Sequence, residues 1–214
     1  MMRGQKRIVF SGRRSAGWRG TGAPFAGGVR LRYPPQKFST ILTPSNKIKI
    51  GQTVSLNTAE KKLAYFVARN RNARNRCLNV VNLKVSGRDG VSIDLEGVAG
   101  ELAFCKMFNL YPDLDTDRMP PYPEYDAVLR DGWTVDVKTT RYDDGRLLVD
   151  VRKGRKVDGV DFYCLMTGEF PGPYTFRGFM AKSVLVKPER RRIVSGHEAY
   201  AADQSELDDD PQLF

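Results

Sequence analysis

The stretch EYDAVLRDGWTVDVK, residues 124–138, carries two aspartates and a lysine at spacings that could support chemistry. Its RDG segment, residues 130–132, suits a three-residue hairpin loop in which glycine adopts the left-handed conformation that other residues avoid. That loop places Asp126 across from Asp136 on the neighbouring strand, with both side chains on one side of the sheet. Because Lys138 follows Asp136 by two residues, a β-strand presents both on the same face.

Two carboxylates in this position need a cation nearby. At a separation of about 5 Å and an effective dielectric of about 20 they repel each other by roughly 3 kcal/mol. Lys138 supplies one positive charge, and a divalent metal bridging Asp126 and Asp136 would supply another. Oxygen ligands suit Mg²⁺, which polarises a phosphate and lowers the pKa of a bound water, while a lysine stabilises developing negative charge. The pattern therefore predicts metal-dependent cleavage of phosphodiester bonds.

A two-residue loop is the alternative register for this hairpin. The dipeptide at 131–132 also fits a type I′ turn, which would pair Arg130 with Trp133 and place the two aspartates on opposite faces. The three-residue loop is favoured because it gathers the apolar side chains of both strands on one face and leaves the polar ones together. The apolar set comprises Tyr125, Ala127, Leu129, Trp133, Val135 and Val137.

A third carboxylate, Glu101, lies upstream in a predicted helix. Residues 94–110, DLEGVAGELAFCKMFNL, are apolar on nearly every side, and Asp94 is expected to cap the first turn. An unpaired glutamate is rare in such a buried helix, so Glu101 either contributes to a site over the sheet or pairs with an arginine. Gly97 and Gly100 weaken the helix by about 1 kcal/mol each, a cost that close packing of the helix backbone on a sheet would explain.

The order of these residues resembles a known family. Glu101 in a helix, Asp126 in the next strand and the DVK triplet at 136–138 in the strand after it resemble the PD-(D/E)xK nuclease superfamily. The resemblance covers residues 91–182, and Tyr125 stands before the first aspartate where that family carries proline.

The resemblance implies a fold and a mechanism. The fold is of the α/β class, a restriction-endonuclease-like core with a mixed sheet of about five strands flanked by helices. Glu101, Asp126 and Asp136 would be the ligands of Mg²⁺ or Mn²⁺, and Lys138 would orient or deprotonate the attacking water. All four are then candidate catalytic residues. The resemblance implies no specific substrate: DNA is the expected one, and RNA stays open as the alternative.

No other catalytic set competes with these residues. His197 is the single histidine and is interpreted as a surface residue, so histidine-based nucleases and Ser-His or Cys-His pairs lack a base. Cys77, Cys105 and Cys164 lie far apart among apolar residues, as expected for reduced core thiols in an intracellular protein. No apolar run approaches the roughly 18 residues of a membrane span, so no membrane partner is expected.

Charge is segregated along the chain, whose net charge is +10. Residues 1–50 hold 11 Lys and Arg and no acid, whereas residues 198–214 hold six acids and no base. We expect a basic Gly/Arg-rich arm at 1–50, a helical lead-in at 51–90, the nuclease-like core at 91–187 and a C-terminal extension at 188–214. The arm suits contact with phosphates and bases, with a docking segment, a linker or a targeting peptide as alternatives. The acidic tail ending in DDDPQLF is expected to be disordered.

A second helix, predicted at 58–80, provides two candidate nucleic-acid contacts. Thr58 is expected to cap it, and Arg69 and Arg74 lie in its basic later half. Its predicted apolar stripe consists of Leu63, Phe66 and Val67.

The segment RKGRKVDG, residues 152–159, provides the other basic candidates. It follows a predicted strand, RLLVDV, and in the resembled fold it lies beside the active-site edge of the sheet. Its candidate contacts are Arg152, Lys153, Arg155 and Lys156. Two further strands, DFYCLMTG and YTFRGFMA, are predicted on either side of a PGPY turn.

Two classes of function fit these features. The first is a Mg²⁺-dependent endonuclease or exonuclease acting on nucleic acid, as a monomer, a homodimer or part of a larger assembly. The second is a non-catalytic nucleic-acid-binding or structural protein of a larger assembly that retains a nuclease-like core. A basic RNA-binding protein with incidental carboxylates is a third reading, but it leaves Glu101 unexplained.

Overall fold

The computed structural model describes residues 47–78, 90–117, 125–151, 159–194 and 196–211. These residues confirm the predicted α/β class: they form a mixed five-stranded sheet, a second sheet of three antiparallel strands and three α-helices. The helices are α1 (Thr58–Cys77), α2 (Gly90–Phe108) and α3 (Lys182–Leu185). The strands are β1 (Thr53–Val54), β2 (Ala127–Val128), β3 (Thr134–Thr140), β4 (Leu147–Asp150), β5 (Phe162–Thr167), β6 (Tyr174–Ala181), β7 (Arg191–Val194) and β8 (His197–Ala202). Short 3₁₀ turns occur at Pro188–Arg190 and Gln204–Glu206.

Helix α1 begins with a reciprocal cap. The Asn57 side chain accepts a hydrogen bond from the N–H of Glu60 at 2.9 Å, and the Glu60 carboxylate accepts one from the N–H of Asn57 at 2.6 Å. This capping box satisfies two N–H groups that have no partner within the helix. The prediction that Thr58 caps the helix is therefore wrong by one residue, because the preceding asparagine is an equally good cap with the better-placed side chain.

The buried side of α1 is made mostly of small residues. Ala64, Val67 and Ala68 are fully buried against the core, and Leu63 is partly buried. Phe66 is instead largely exposed, so its assignment to the apolar stripe is wrong. Small side chains allow α1 to approach α2 closely, and the large ring next to Val67 turns outward.

Helix α2 begins at Gly90, four residues before the predicted start, so Asp94 is not its cap. The Asp94 carboxylate accepts a hydrogen bond from the Asn72 side chain of α1 at 2.7 Å, and burial raises the pKa of Asp94. A Cβ at Gly100 would collide with the side chain of Thr139 on β3, which confirms that α2 packs closely on the sheet there. Gly97 has no such neighbour within 4 Å, so close packing does not explain it.

The five-stranded sheet has the order β1-β6-β5-β3-β2. β3 and β5 are parallel, and the other neighbours are antiparallel, including the β5–β6 hairpin predicted around the PGPY turn. The predicted number of strands is right, but the membership is not. β4, the RLLVDV strand, leaves this sheet, and β1 takes a place at its edge.

The second sheet, of order β4-β8-β7, is built with the C-terminal segment. Beyond it, Asp208 forms an antiparallel bridge with Phe179 of β6, with N–H to C=O distances of 2.7 and 3.0 Å, and Leu207 is buried. The prediction that the acidic tail is disordered is therefore wrong for residues 208–211, because a buried leucine and a backbone bridge hold them on the sheet.

Two apolar layers lie on opposite faces of the five-stranded sheet. One contains buried residues of α1, α2 and the sheet, such as Val67, Phe104 and Val137. The other contains buried residues of β4, β5 and β8, such as Val149 and Tyr163. β5 is buried along its whole length because its alternate side chains enter different layers. Among the described residues no helix has the length and apolar character needed to cross a bilayer.

Candidate functional site

The β2–β3 hairpin has the favoured register. Ala127 pairs with Val135 and Val128 with Thr134, and the N–H of Leu129 donates to the carbonyl of Trp133 at 2.8 Å. Residues 130–132 therefore form a three-residue loop, as predicted. Gly132 has a φ of +88°, the left-handed conformation for which the loop requires glycine.

Asp126 departs from the predicted ladder. Its N–H donates at 2.8 Å to the carbonyl of Val135, the residue that Ala127 already opposes, so two residues share one partner as in a β-bulge. β2 ends there, and Asp126 does not sit directly across from Asp136 as a ladder pair. Its carboxylate instead accepts a hydrogen bond from the N–H of Val137 at 2.7 Å. The side chain thus takes the place of a missing strand partner at the edge of β3.

Asp136 and Lys138 lie on one face of β3, as predicted. Asp136 is next to Tyr163 and Lys138 next to Leu165 across the parallel β3–β5 pairing, so both side chains point to the face that β4 and β8 cover. The Lys138 ammonium forms a short ion pair with the Asp136 carboxylate. Asp136 is largely buried, and Lys138 remains partly open to solvent.

Glu101 approaches from the helical side of the sheet. Its carboxylate forms an ion pair with Arg71 of α1 at 2.9 Å. Arg71 also donates to the carbonyls of Asp113 at 2.9 Å and Asp115 at 3.3 Å, in the segment that follows α2. The alternative considered from the sequence, in which Glu101 pairs with an arginine, is therefore the arrangement observed.

The electrostatic environment connects these groups. Burial, followed by the charges of Glu101 and Asp136, raises the pKa of Asp126 well above its ordinary value. Burial works against the charge of Lys138, but Asp136 and Asp126 outweigh it and raise the pKa of the ammonium. Burial and then the charges of Glu101 and Asp126 raise the pKa of the Cys105 thiol to about 12.

The four predicted residues therefore converge around one point of β3. Glu101 lies on the helical side, Asp136 and Lys138 lie on the other face, and the Asp126 carboxylate accepts a hydrogen bond from the N–H of Val137. The charges of these groups influence one another's pKa values. The prediction that Asp126 and Asp136 are direct cross-strand neighbours is corrected by the bulge, which takes Asp126 out of the ladder register. Three carboxylates still influence one another across a short strand segment.

The carboxylates are engaged with cationic side chains in this arrangement. Lys138 is bound to Asp136, and Arg71 is bound to Glu101. Within the part of the chain that the structure describes, no three His, Cys, Asp or Glu side chains form a group that could hold a metal ion as they stand.

Of the predicted nucleic-acid contacts, only those on α1 can be located. Arg69 is exposed and Arg74 is half-buried with a partner of its own. Arg152, Lys153, Arg155 and Lys156 lie outside the described residues. Of the three cysteines, Cys105 and Cys164 are buried as predicted, but Cys77 is exposed at the end of α1.

The residue that sequence reasoning missed is Arg71. A signal for it exists, because Ala64, Val67, Ala68 and Arg71 recur at intervals of three or four and so share one side of α1. An arginine on the buried side of a helix needs an acidic partner, and Glu101 is the unpaired acid of the neighbouring buried helix.

The fold and the site together define a class: an α/β protein with a cluster of carboxylates and a lysine around an inner strand, β3. Within that class the chain belongs to a family of unknown function, DUF5843, whose model matches residues 46–200. The matched range contains Arg71, Glu101, Asp126, Asp136 and Lys138. No curated protein matches the chain.

Proposed function

We propose that this protein is a metal-dependent nuclease with a restriction-endonuclease-like core, which hydrolyses phosphodiester bonds in DNA. The observation that carries the proposal is the convergence of Glu101, Asp126 and Asp136 with Lys138 around one segment of β3. The four residues come from a helix, a bulge and a strand that are distant in sequence, so their convergence depends on the tertiary fold. Bringing them together requires both the packing of α2 on the sheet and the pairing of β2 with β3.

The donor set fits a hard divalent cation. Glu101, Asp126 and Asp136 offer carboxylate oxygens, which Mg²⁺ and Mn²⁺ prefer. The raised pKa of Asp126 reflects burial and the negative charge of the other two, a penalty that a bound cation would relieve. When bound, such a metal would polarise the scissile phosphate and lower the pKa of a water.

Lys138 supplies charge near the same point. The raised pKa of its ammonium keeps it protonated at neutral pH, so its role is to stabilise negative charge on the phosphate rather than to remove a proton. Opening of its ion pair with Asp136 would free the ammonium for the phosphate and the carboxylate for the metal in one movement. Lys138 is partly open to solvent, which permits that movement.

The second candidate function is a non-catalytic nucleic-acid-binding or structural protein that keeps this core. The observation that favours it is the pairing of Asp136 with Lys138 and of Glu101 with Arg71. Two closed ion pairs would satisfy a purely structural site without any metal.

Cleavage of plasmid DNA separates the two functions. The full-length protein should nick or cut DNA in Mg²⁺ or Mn²⁺ and stop when a chelator is added, and Lys138→Ala should abolish cleavage. Lys187→Ala, at an exposed lysine outside the site, is the matched control and should cleave as the wild type does. Equal cleavage by the wild type and Lys138→Ala would show that the activity is a contaminant, and no cleavage by either on DNA or RNA would favour the non-catalytic function.

A further inference from the structure

One side of α1 is exposed along most of the helix. Residues spaced by three or four on an α-helix share a side, and six exposed residues of α1 fall within an arc of about 100° at 100° per residue. We call this set the outer stripe of α1; it consists of Lys62, Tyr65, Phe66, Arg69, Ala73 and Arg76. The buried residues Ala64, Val67 and Ala68 lie on the opposite half of the helix.

Two aromatic rings stand in solvent on the outer stripe. Tyr65 is 50% exposed and Phe66 is 61% exposed. The two are adjacent in sequence, so they project about 100° apart around the helix axis, at the two edges of the outer stripe. Stability of the fold does not explain these two exposed rings, because burying them would stabilise the protein and exposing them does not.

Three cations accompany the rings at regular spacing. Lys62, Arg69 and Arg76 are seven residues apart, which is two helical turns or about 10.5 Å along the axis. The outer stripe contains no carboxylate, and neither Lys62 nor Arg69 forms an ion pair with any residue that the structure describes. Tyr65 and Phe66 lie between Lys62 and Arg69, so the two rings have a cation on either side along the helix.

We propose that the outer stripe of α1 binds single-stranded nucleic acid, with bases stacked on Tyr65 and Phe66 and phosphates on Lys62 and Arg69. Exposed rings flanked by cations are the combination that recognises unpaired bases, whereas the bases of a duplex are already stacked on one another and offer no free face to a ring. A carboxylate-free stripe also complements a polyanion better than it complements a second copy of the same surface.

The outer stripe is separate from the candidate catalytic residues. Arg71, which binds Glu101, projects from the buried side of α1, about half a turn away from Arg69. Nucleic acid on the stripe therefore does not reach the carboxylates directly. The inference goes beyond the proposed nuclease function, because binding at the stripe requires neither metal nor cleavage.

Fluorescence anisotropy with a labelled oligothymidylate, in chelator, tests the inference on the full-length chain. The double variant Tyr65→Ala/Phe66→Ala should bind it at least about tenfold more weakly, since each stacked base contributes roughly 1–3 kcal/mol. Affinity for a duplex of mixed sequence should change much less. Tyr111→Ala removes a tyrosine that is 85% exposed elsewhere and should leave both affinities unchanged.

Salt dependence tests the cations independently of the rings. Lys62→Gln/Arg69→Gln should reduce the slope of log affinity against log salt on the oligothymidylate by about 0.7 for each lost phosphate contact. The aromatic variant should keep the wild-type slope, because stacking releases no counterions. Thermal unfolding of each variant checks that the fold is retained.

Three results would overturn the inference. Wild-type affinity of the aromatic variant for oligothymidylate would remove the stacking surface, and an unchanged salt slope in the glutamine variant would remove the phosphate contacts. Sedimentation showing that the aromatic variant alone converts a wild-type dimer to a monomer, with nucleic-acid affinity intact, would make the stripe a protein interface. Because all binding is measured without metal, none of these results depends on whether the protein cleaves DNA.

Discussion

The two ion pairs of the candidate site differ in what they connect. Asp136 and Lys138 are two residues apart on one strand, and their pair joins nothing beyond that strand. Arg71 joins α1 to Glu101 of α2 and to the carbonyls of Asp113 and Asp115 in the following segment. The Arg71 guanidinium is held by several partners, whereas the Lys138 ammonium is held within its own strand.

This difference suits Lys138 to a role in chemistry and Arg71 to a role in stabilising the fold. A local pair between neighbours on a strand can open without moving any backbone, because only side-chain torsions change. Opening the Arg71 pair would leave a half-buried carboxylate and two carbonyls without their donor. We therefore expect substitutions of Lys138 to affect chemistry and substitutions of Arg71 to affect stability.

The largest expected effect is on cleavage by Lys138→Ala. If the proposed function is right, cleavage should fall by roughly 10³-fold or more, because a charge that acts together with metal ligands is lost as a unit. Single-turnover cleavage of a labelled duplex in Mg²⁺ measures it. Arg71→Ala, assayed well below its melting temperature, should lose far less, and an equal loss in the two variants would remove the distinction between the pairs.

The complementary effect is on stability. Arg71→Ala should lower the free energy of unfolding by about 1–3 kcal/mol, less than for a fully buried pair because both side chains keep some exposure. Arg69→Ala, two residues away on the exposed side of the same helix, should change it by no more than about 0.5 kcal/mol. Urea unfolding of the three proteins gives the comparison, and similar losses in both variants would show that the ion pair with Glu101 is not the source of the loss.

The local parts of the site could be predicted from the sequence. The register of the β2–β3 hairpin follows from alternating apolar residues and from Gly132, both of which act within a few residues. The same alternation places Asp136 and Lys138 on one face. The bulge at Asp126 could not be predicted, because nothing in the pattern shows that β2 stops at Ala127.

The contacts that escaped prediction join distant parts of the chain. β4 pairs with β8, and the tail bridges β6 at Asp208, so both depend on partners far away in sequence. The sequence pattern of a short apolar strand is the same whichever sheet it belongs to, and only tertiary packing decides which sheet it joins. Arg71 and Glu101 are also separated by 30 positions, and their pairing becomes visible only when α1 lies against α2.

Binding of a metal ion should affect the Asp136–Lys138 pair more directly than the Arg71–Glu101 pair. Millimolar Mg²⁺ or Mn²⁺ should raise the melting temperature of the wild type, because binding to the folded state alone stabilises it by about 2.7 kcal/mol at a hundredfold excess over the dissociation constant. Asp136→Asn should remove that response. An unchanged wild-type melting curve in Mn²⁺ would count against a metal site at these carboxylates.

The smallest expected effect concerns Asp126, whose buried carboxylate is influenced by the charges of both pairs. Burial and the charges of Glu101 and Asp136 raise its pKa above the ordinary value of 3.8. The folded state therefore holds the Asp126 proton more tightly than the unfolded state, so this group contributes stability at low pH that is lost as the pH rises through the raised pKa.

Asp126→Asn keeps the acceptor for the N–H of Val137 but cannot ionise. In chelator the stability of the wild type relative to Asp126→Asn should decline as the pH rises from about 4 to neutrality. The opposite result would be a wild type that gains stability relative to Asp126→Asn over that pH range. It would mean that the Lys138 ammonium neutralises the charge of Asp126 as fully as it does that of Asp136. The carboxylates would then have no excess negative charge for a metal to relieve.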